Sequence, residues 1–146
     1  MVNRSLLTQR LTELADRIAR VRQHGASAPE RLRENRDSFE LVSFNLMLAV
    51  QACADIASHV IADEKWPPAA SLGESFTRLH EHGVIHADTA RALRQAVGLR
   101  NIVAHGYGGI DHEMVESAAK SGIDDLSRFA QQVAAWATRA GTVGTD

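Results

Sequence analysis

The chain is short of the residues that usually announce a scaffold or a reactive centre. Among 146 residues there is one cysteine, three prolines and a single tyrosine, and aromatic residues make up 5%. One cysteine excludes an internal disulfide framework. Cys53 sits in an apolar run, so it reads as a buried thiol rather than a nucleophile. That usage suits a reducing, cytosolic compartment. The first residues, Met1-Val2-Asn3-Arg4-Ser5, lack the apolar core of a signal peptide. No apolar run approaches the length needed to cross a bilayer. A cytoplasmic protein without membrane association is expected. Strand-like alternation, internal repeats and low-complexity tracts are also missing.

Net charge is −2, which excludes a nucleic-acid footprint at the level of the whole chain. The basic residues are nevertheless skewed. Fourteen of the sixteen are arginine, and eight of those lie within the first forty positions. Arginine binds phosphate bidentately, so the bias fits an RNA or nucleotide partner. Solvated helix faces explain it equally, and more simply.

What is present is helical periodicity. Apolar residues make up 45%, enough for a core without disulfides or metal. Leu7, Leu11, Leu14, Ile18 and Val21 step by four, three, four and three, predicting a helix over 5–24. Gly25 suits its C-terminal cap and Pro29 the start of the next element. Residues 30–63 carry a longer pattern, from Leu32 and Phe39 through Val50, Cys53 and Ile56 to Ile61. Leu41, Phe44, Met47 and Leu48 make its middle apolar nearly all round, as in a central helix or at a subunit contact. Asn45, Gln51 and Asp55 interrupt it. Asp55 stands out, because a carboxylate among apolar residues needs a partner or a wet cleft.

Trp66-Pro67-Pro68 closes that helix. Ser71-Leu72-Gly73-Glu74 has the form of a capping box for a short helix with Phe76 and Leu79, stopped by Gly83. Val84 and Ile85 form a buried linker. His86 or Asp88 caps a helix over 88–105, with Ala90, Leu93, Val97 and either Ile102 or Ala104 inward. Glycines 106, 108 and 109 break it. Asp111 caps a last run carrying Val115, Leu126, Phe129, Val133 and Trp136, which Gly122 divides. The tail at 141–146 reads as frayed. The expectation is an all-α fold: one domain over 1–146, an up-down bundle of about five helices.

Reactive groups concentrate in Arg100-Asn101-Ile102-Val103-Ala104-His105-Gly106-Tyr107. Arg100 and His105 are five apart, an offset of roughly 140° on a regular helix. Either the helix ends near His105 and frees the ring, or the two residues line opposite walls of a cleft that another helix or subunit completes. The pair suits phosphodiester cleavage in RNA. An imidazole can serve as base toward a 2′-hydroxyl or as acid toward the leaving oxygen. A guanidinium can hold the charge that builds on phosphorus. No metal or other cofactor is required. The same residues also fit a plain helix end, with a histidine favoured by the helix dipole.

Elsewhere, His80, Glu81, His82 and His86 resemble a metal cluster, but Gly83 interrupts the helix between them and no cysteine stands at ligand spacing. They read as surface histidines around a turn. His24, His59 and His112 are isolated. Neither nucleophile-elbow glycines nor a P-loop lysine is present.

Arg100-Asn101-x-x-x-His105-x-Tyr107 resembles the Arg-x4-His-x-Tyr motif of the HepT-like toxins (DUF86) in the HEPN superfamily. Gly83-Val84-Ile85 and Val97-Gly98-Leu99 resemble the approach to that motif. The segment from Gln51 to Ile61, with Asp55, is similar to the family's second helix. The resemblance runs from about Leu6 to Trp136 and covers nearly the whole chain.

It implies a metal-independent endoribonuclease, the toxin of a type II toxin–antitoxin pair. Arg100 and His105 would be the catalytic pair, with Asn101 and Asp55 in support, in a cleft formed across a homodimer. A minimal nucleotidyltransferase (MNT-type) antitoxin would silence it by transferring AMP to Tyr107. Some HEPN relatives bind nucleotides or partners without cutting RNA. The alternative is therefore a non-catalytic module that regulates a nucleotidyltransferase.

Overall fold

The structure, a computed structural model, describes residues 3–25, 32, 34–105 and 112–143, with backbone alone for 102–105 and 141–143. The helices are α1 (Arg4–Gly25), α2 (Arg36–Asp63), α3 (Leu72–Glu81), α4 (Ala87–His105), α5 (His112–Ser117) and α6 (Ile123–Val143). A π-helical turn, Ala118–Gly122, joins α5 to α6 without a loop. The described residues thus form five rods and contain no strand, as the apolar periodicities predict. The expected division at Gly122 is this wider turn, not a break. Helix α6 also runs further than expected, through Val143, into the stretch read as frayed.

Helix α2 is the axis. Phe39, Val42, Leu46, Val50, Cys53, Ile56, Val60 and Ile61 are all buried along it. It is the one described helix long and apolar enough to cross a membrane, with a mean hydropathy of 1.5 in its most apolar window. The sequence expectation that no such run exists is therefore corrected. Just over half of that window, 56%, is buried by the chain's own helices, which is how a core helix comes by such a composition.

Polar contacts set α1 antiparallel to α2. Asn3 donates its backbone N–H to Asp63 Oδ2 at 2.7 Å, and Arg17 Nη1 donates to Asn45 Oδ1 at 3.1 Å. The arginines of α1 are mostly joinery. Arg22 pairs with Asp124 at 2.9 Å and Arg4 reaches the Ala137 carbonyl at 3.4 Å, both on α6.

The helix ends follow local chemistry. Asn35 Oδ1 accepts from Ser38 N at 3.1 Å, so α2 starts at Arg36, later than its apolar pattern suggests. Ser71 Oγ caps Glu74 N at 3.1 Å, while Glu74 reaches back to the Ala70 N–H at 2.9 Å, one residue short of a reciprocal box. Gly83 takes φ +75°, and N–H groups of Gly83 and Val84 donate to His80 and Leu79 carbonyls, the Schellman pattern. Lys65 plays the same part after α2 at φ 60°, ahead of the prolines credited with stopping it. His86 precedes the first turn of α4, and Asp88 lies within it.

Helices α1 and α2 converge closely at Gly25, where a Cβ would lie 3.2 Å from Val42 Cγ2 and that side chain would have to give by a few tenths of an ångström. The expectations for Pro29, Asp111 and the glycines at 106, 108 and 109 lie outside the described residues, as do those for the side chains of Ile102 and Ala104.

Phe76 of α3 and Phe129 of α6 lock the far side of the bundle. Both are fully buried, with ring centroids 5.8 Å apart in a perpendicular arrangement. Phe129→Ala removes the pair and leaves a cavity. It is expected to cost about 3–5 kcal/mol in urea-induced unfolding.

Candidate active site

The site grows from the meeting of α2 and α4. Two neighbouring residues of α4 divide the labour. Leu99 is buried in the core, and Arg100 stands beside it at the edge, half-buried. Arg100 Nε and Nη2 donate to one oxygen, Gln51 Oε1 on α2, at 3.1 and 2.7 Å. Arg100 Nη1 donates to Asn101 Oδ1 at 3.0 Å. Gln51 Nε2 in turn donates to Asp55 Oδ1 at 3.0 Å, one helical turn on. Three guanidinium N–H groups are thereby fixed on neutral amide oxygens. The orientation is set while the charge stays uncompensated by these partners.

The expected site residues fare differently. Arg100, Asn101 and Asp55 come together in one network. Asp55 is exposed, so its partner and its water together answer the cost of placing a carboxylate on an apolar helix. The described part of α4 runs to His105, so both motif positions lie on helical backbone. The His105 side chain and all of Tyr107 lie outside the described residues. Gln51, read from sequence only as an interruption, is the residue that reasoning missed. Its signal was the four-residue spacing to Asp55.

Beside the network, α2 presents an apolar strip to solvent. Phe44 is 51% exposed, the one large apolar side chain so exposed among the described residues. Leu41, Met47 and Leu48 around it are half-buried. A groove of about 320 Å³ lies on another side of α4, lined by Leu46, Val50, Ala96, Leu99, Met114 and Leu126 among others. Arg100 does not line it.

The remaining candidates are placed apart. His80 Nδ1 lies 3.2 Å from the Ile85 carbonyl. His82 stacks on Trp66 with centroids 3.9 Å apart. The His86 backbone N–H donates to Gln132 Oε1 at 2.9 Å. His59 Nε2 stands 3.2 Å from Asp63 Oδ2, and His112 stacks on Phe39. Among the described residues, no three of His, Cys, Asp and Glu gather at metal-binding spacing. Cys53 is fully buried, and loss of hydration pushes its thiol pKa well above the usual range. It is no nucleophile at neutral pH. A thiol-specific reagent is expected to leave the native protein unlabelled at pH 8 and to label one cysteine once the chain is unfolded in guanidinium.

The all-α bundle, with Arg100 held in the last turns of its fourth helix, has the fold of HEPN toxins. Solved structures agree. The tri-AMPylated HEPN toxin of Shewanella oneidensis, in complex with its MNT antitoxin, superposes with a TM-score of 0.83 at 24% identity, covering 92% of this chain and 99% of that one. Residues 11–133 match the family described as Ribonuclease HepT-like, and the chain belongs to that family. It is 31% identical over 88 residues to the mRNA nuclease HepT of Shewanella oneidensis, covering 60% of this chain and 66% of that protein. It is 26% identical to the tRNA nuclease HepT of Aphanizomenon flos-aquae, covering 60% of each. The chain thus aligns with somewhat under two thirds of the length of these two relatives.

Proposed function

We propose that this protein is the toxin of a type II toxin–antitoxin pair, a single HEPN domain that cleaves RNA in the cytoplasm without a metal ion. The observation that carries this is Arg100. It stands at the first position of the family motif, oriented by Gln51 and Asn101, with its charge left for a phosphate. Arg100 would hold the negative charge that builds on phosphorus, and His105 would act as acid or base. Asn101 and Asp55 support the arginine.

The cleft is read as shared by two copies. Five residues along a regular helix turn by roughly 140°, a spacing that supports a site completed by a second copy. The exposed strip around Phe44 leads along α2 to Gln51 and Asp55. A second copy seated there would bury the strip and bring a second motif to the same place.

The relatives' names support the remaining partners. A nucleotidyltransferase antitoxin is the proposed neutraliser, transferring AMP from ATP to Tyr107. A nucleotide attached beside Arg100 would put a phosphate where the RNA phosphate belongs and would block the cleft by bulk and charge.

The test is cleavage of total RNA by purified protein in the presence of EDTA. His105→Ala is expected to lower the rate by about 10²–10⁴-fold and Arg100→Ala by about 10²–10³-fold, with the far-UV spectrum unchanged. A wild-type protein that binds the nucleotidyltransferase but cuts nothing would instead be the non-catalytic regulator.

The shared cleft has its own test. Phe44→Glu puts a charge in the strip and is expected to shift a dimer to monomer in light scattering and to abolish cleavage. A dimer that survives this change would place the interface on another face.

A further inference from the structure

We infer that Gln51 is a positioning residue: it passes the orientation of Asp55 to Arg100 while withholding its charge. The inference rests on the reading of Arg100 as a phosphate-binding group. It starts from a contrast in how this chain treats its arginines. Along a helix surface an arginine's partner is usually a carboxylate, whereas between helices Arg17 takes the Asn45 amide oxygen and Arg4 the Ala137 carbonyl. Arg22 takes Asp124 at 2.9 Å, Arg36 takes Glu40 at 3.0 Å, and Arg78 takes Glu74 and Glu81. Arg100 has a carboxylate within one residue's reach and is not bound to it. An amide stands between.

The chemistry of that arrangement is specific. A carboxylate on the guanidinium fork would form a strong charge-assisted pair and occupy the edge that a phosphate needs. It would also cancel the local charge. A glutamine oxygen accepts from Nε and Nη2 together and cancels nothing. Left alone, a primary amide could rotate to present its NH2 group. Asp55 prevents this, because Gln51 Nε2 donates to Oδ1 while Oε1 faces the cation. Opposite charges at its two ends give the amide one favourable orientation. Asn101 holds Nη1 in the same neutral manner at 3.0 Å.

A purely architectural Gln51, a hydrogen-bonded clip between α2 and α4, makes the opposite prediction for one substitution. Gln51→Glu keeps the shape and strengthens the link to Arg100. A clip would tolerate it. The positioning role would not, because the new carboxylate takes the charge.

The experiment compares wild type, Gln51→Glu and Gln51→Ala. Cleavage of total RNA is measured beside binding of a 2′-O-methyl oligonucleotide, which lacks the attacking hydroxyl and so reports binding alone. With the melting temperature unchanged or raised, Gln51→Glu is expected to cut about 10²-fold more slowly. It should also bind the oligonucleotide about tenfold more weakly. Its slope of log affinity against log salt should fall by about 0.7, the loss of one phosphate contact. Gln51→Ala is expected to lower kcat while keeping that salt slope, since the charge remains and only its aim is lost. Gln51→Glu with wild-type cleavage and wild-type binding overturns the inference. A wild-type protein that cuts no RNA, beside a Gln51→Glu variant that still binds more weakly with the reduced slope, sinks the nuclease reading and leaves Gln51 in its role.

Discussion

The structure depends on one constraint: a helix of 28 residues, apolar on nearly every side, has to be covered by a chain with little else to spend on the task. Each other rod takes its place from the side of α2 that it covers. Helix α1 lies antiparallel on one side, held at Asn3 and Arg17. Helix α4 lies against another through Leu93 and Leu99. Helices α3 and α6 meet over Phe76 and Phe129. The closeness reaches the backbone, since a Cβ on Gly25 would crowd Val42. What remains uncovered is a strip from Leu41 to Leu48. At its end, where α2 passes α4, the polar network of Arg100 begins. Incomplete burial of one helix and the position of the site are two consequences of the same packing.

That network depends on what its acceptors lack. A guanidinium can be fixed cheaply by a carboxylate, and the surface of this chain does so repeatedly. At Arg100 the fixing groups are amides. The consequence is a cation held in place without a carboxylate partner among the described residues, on a protein of net charge −2. Pre-organised charge of this kind needs no reorganisation when an anion arrives, which is the property a transition-state binder requires.

Much of this was legible in the sequence, and the limits were physical. The rods were readable because burial repeats every three or four residues, and nearly every apolar position assigned to the core is buried. Helix ends were less readable. They are decided by single hydrogen bonds such as Asn35 to Ser38, or by a left-handed Lys65, and periodicity does not report these. The length of α2 hid its membrane-like composition because its polar interruptions, Asn45, Gln51 and Asp55, look like breaks in an apolar run. In the fold they are contacts. Asp55 was recognisable as a carboxylate in an unusual place. Gln51 offered only its four-residue spacing to Asp55, because an amide on a helix has no defined role until a partner on another helix gives it one. The motif at 100–107 marked the position of Arg100 and could not show which side of α4 would meet α2.

The acidic balance of the chain then bears on which RNA a site of this kind can use. Long-range attraction is weak for a protein with slight negative charge, and at cellular salt it is screened beyond about 8 Å. Affinity under the proposed reading must come from groups at contact distance, chiefly Arg100 and whatever a second copy adds. Several arginines of α1 are engaged between helices: Arg17 with Asn45, Arg22 with Asp124, Arg4 with the Ala137 carbonyl. A backbone track for arbitrary single strands would need such groups free. Under the proposed reading, a site built around Arg100 favours RNA whose shape already presents a phosphate, because the RNA then supplies the order that long-range charge does not. Under the proposed reading, narrow substrate choice follows from how little long-range attraction a chain of net charge −2 offers an RNA.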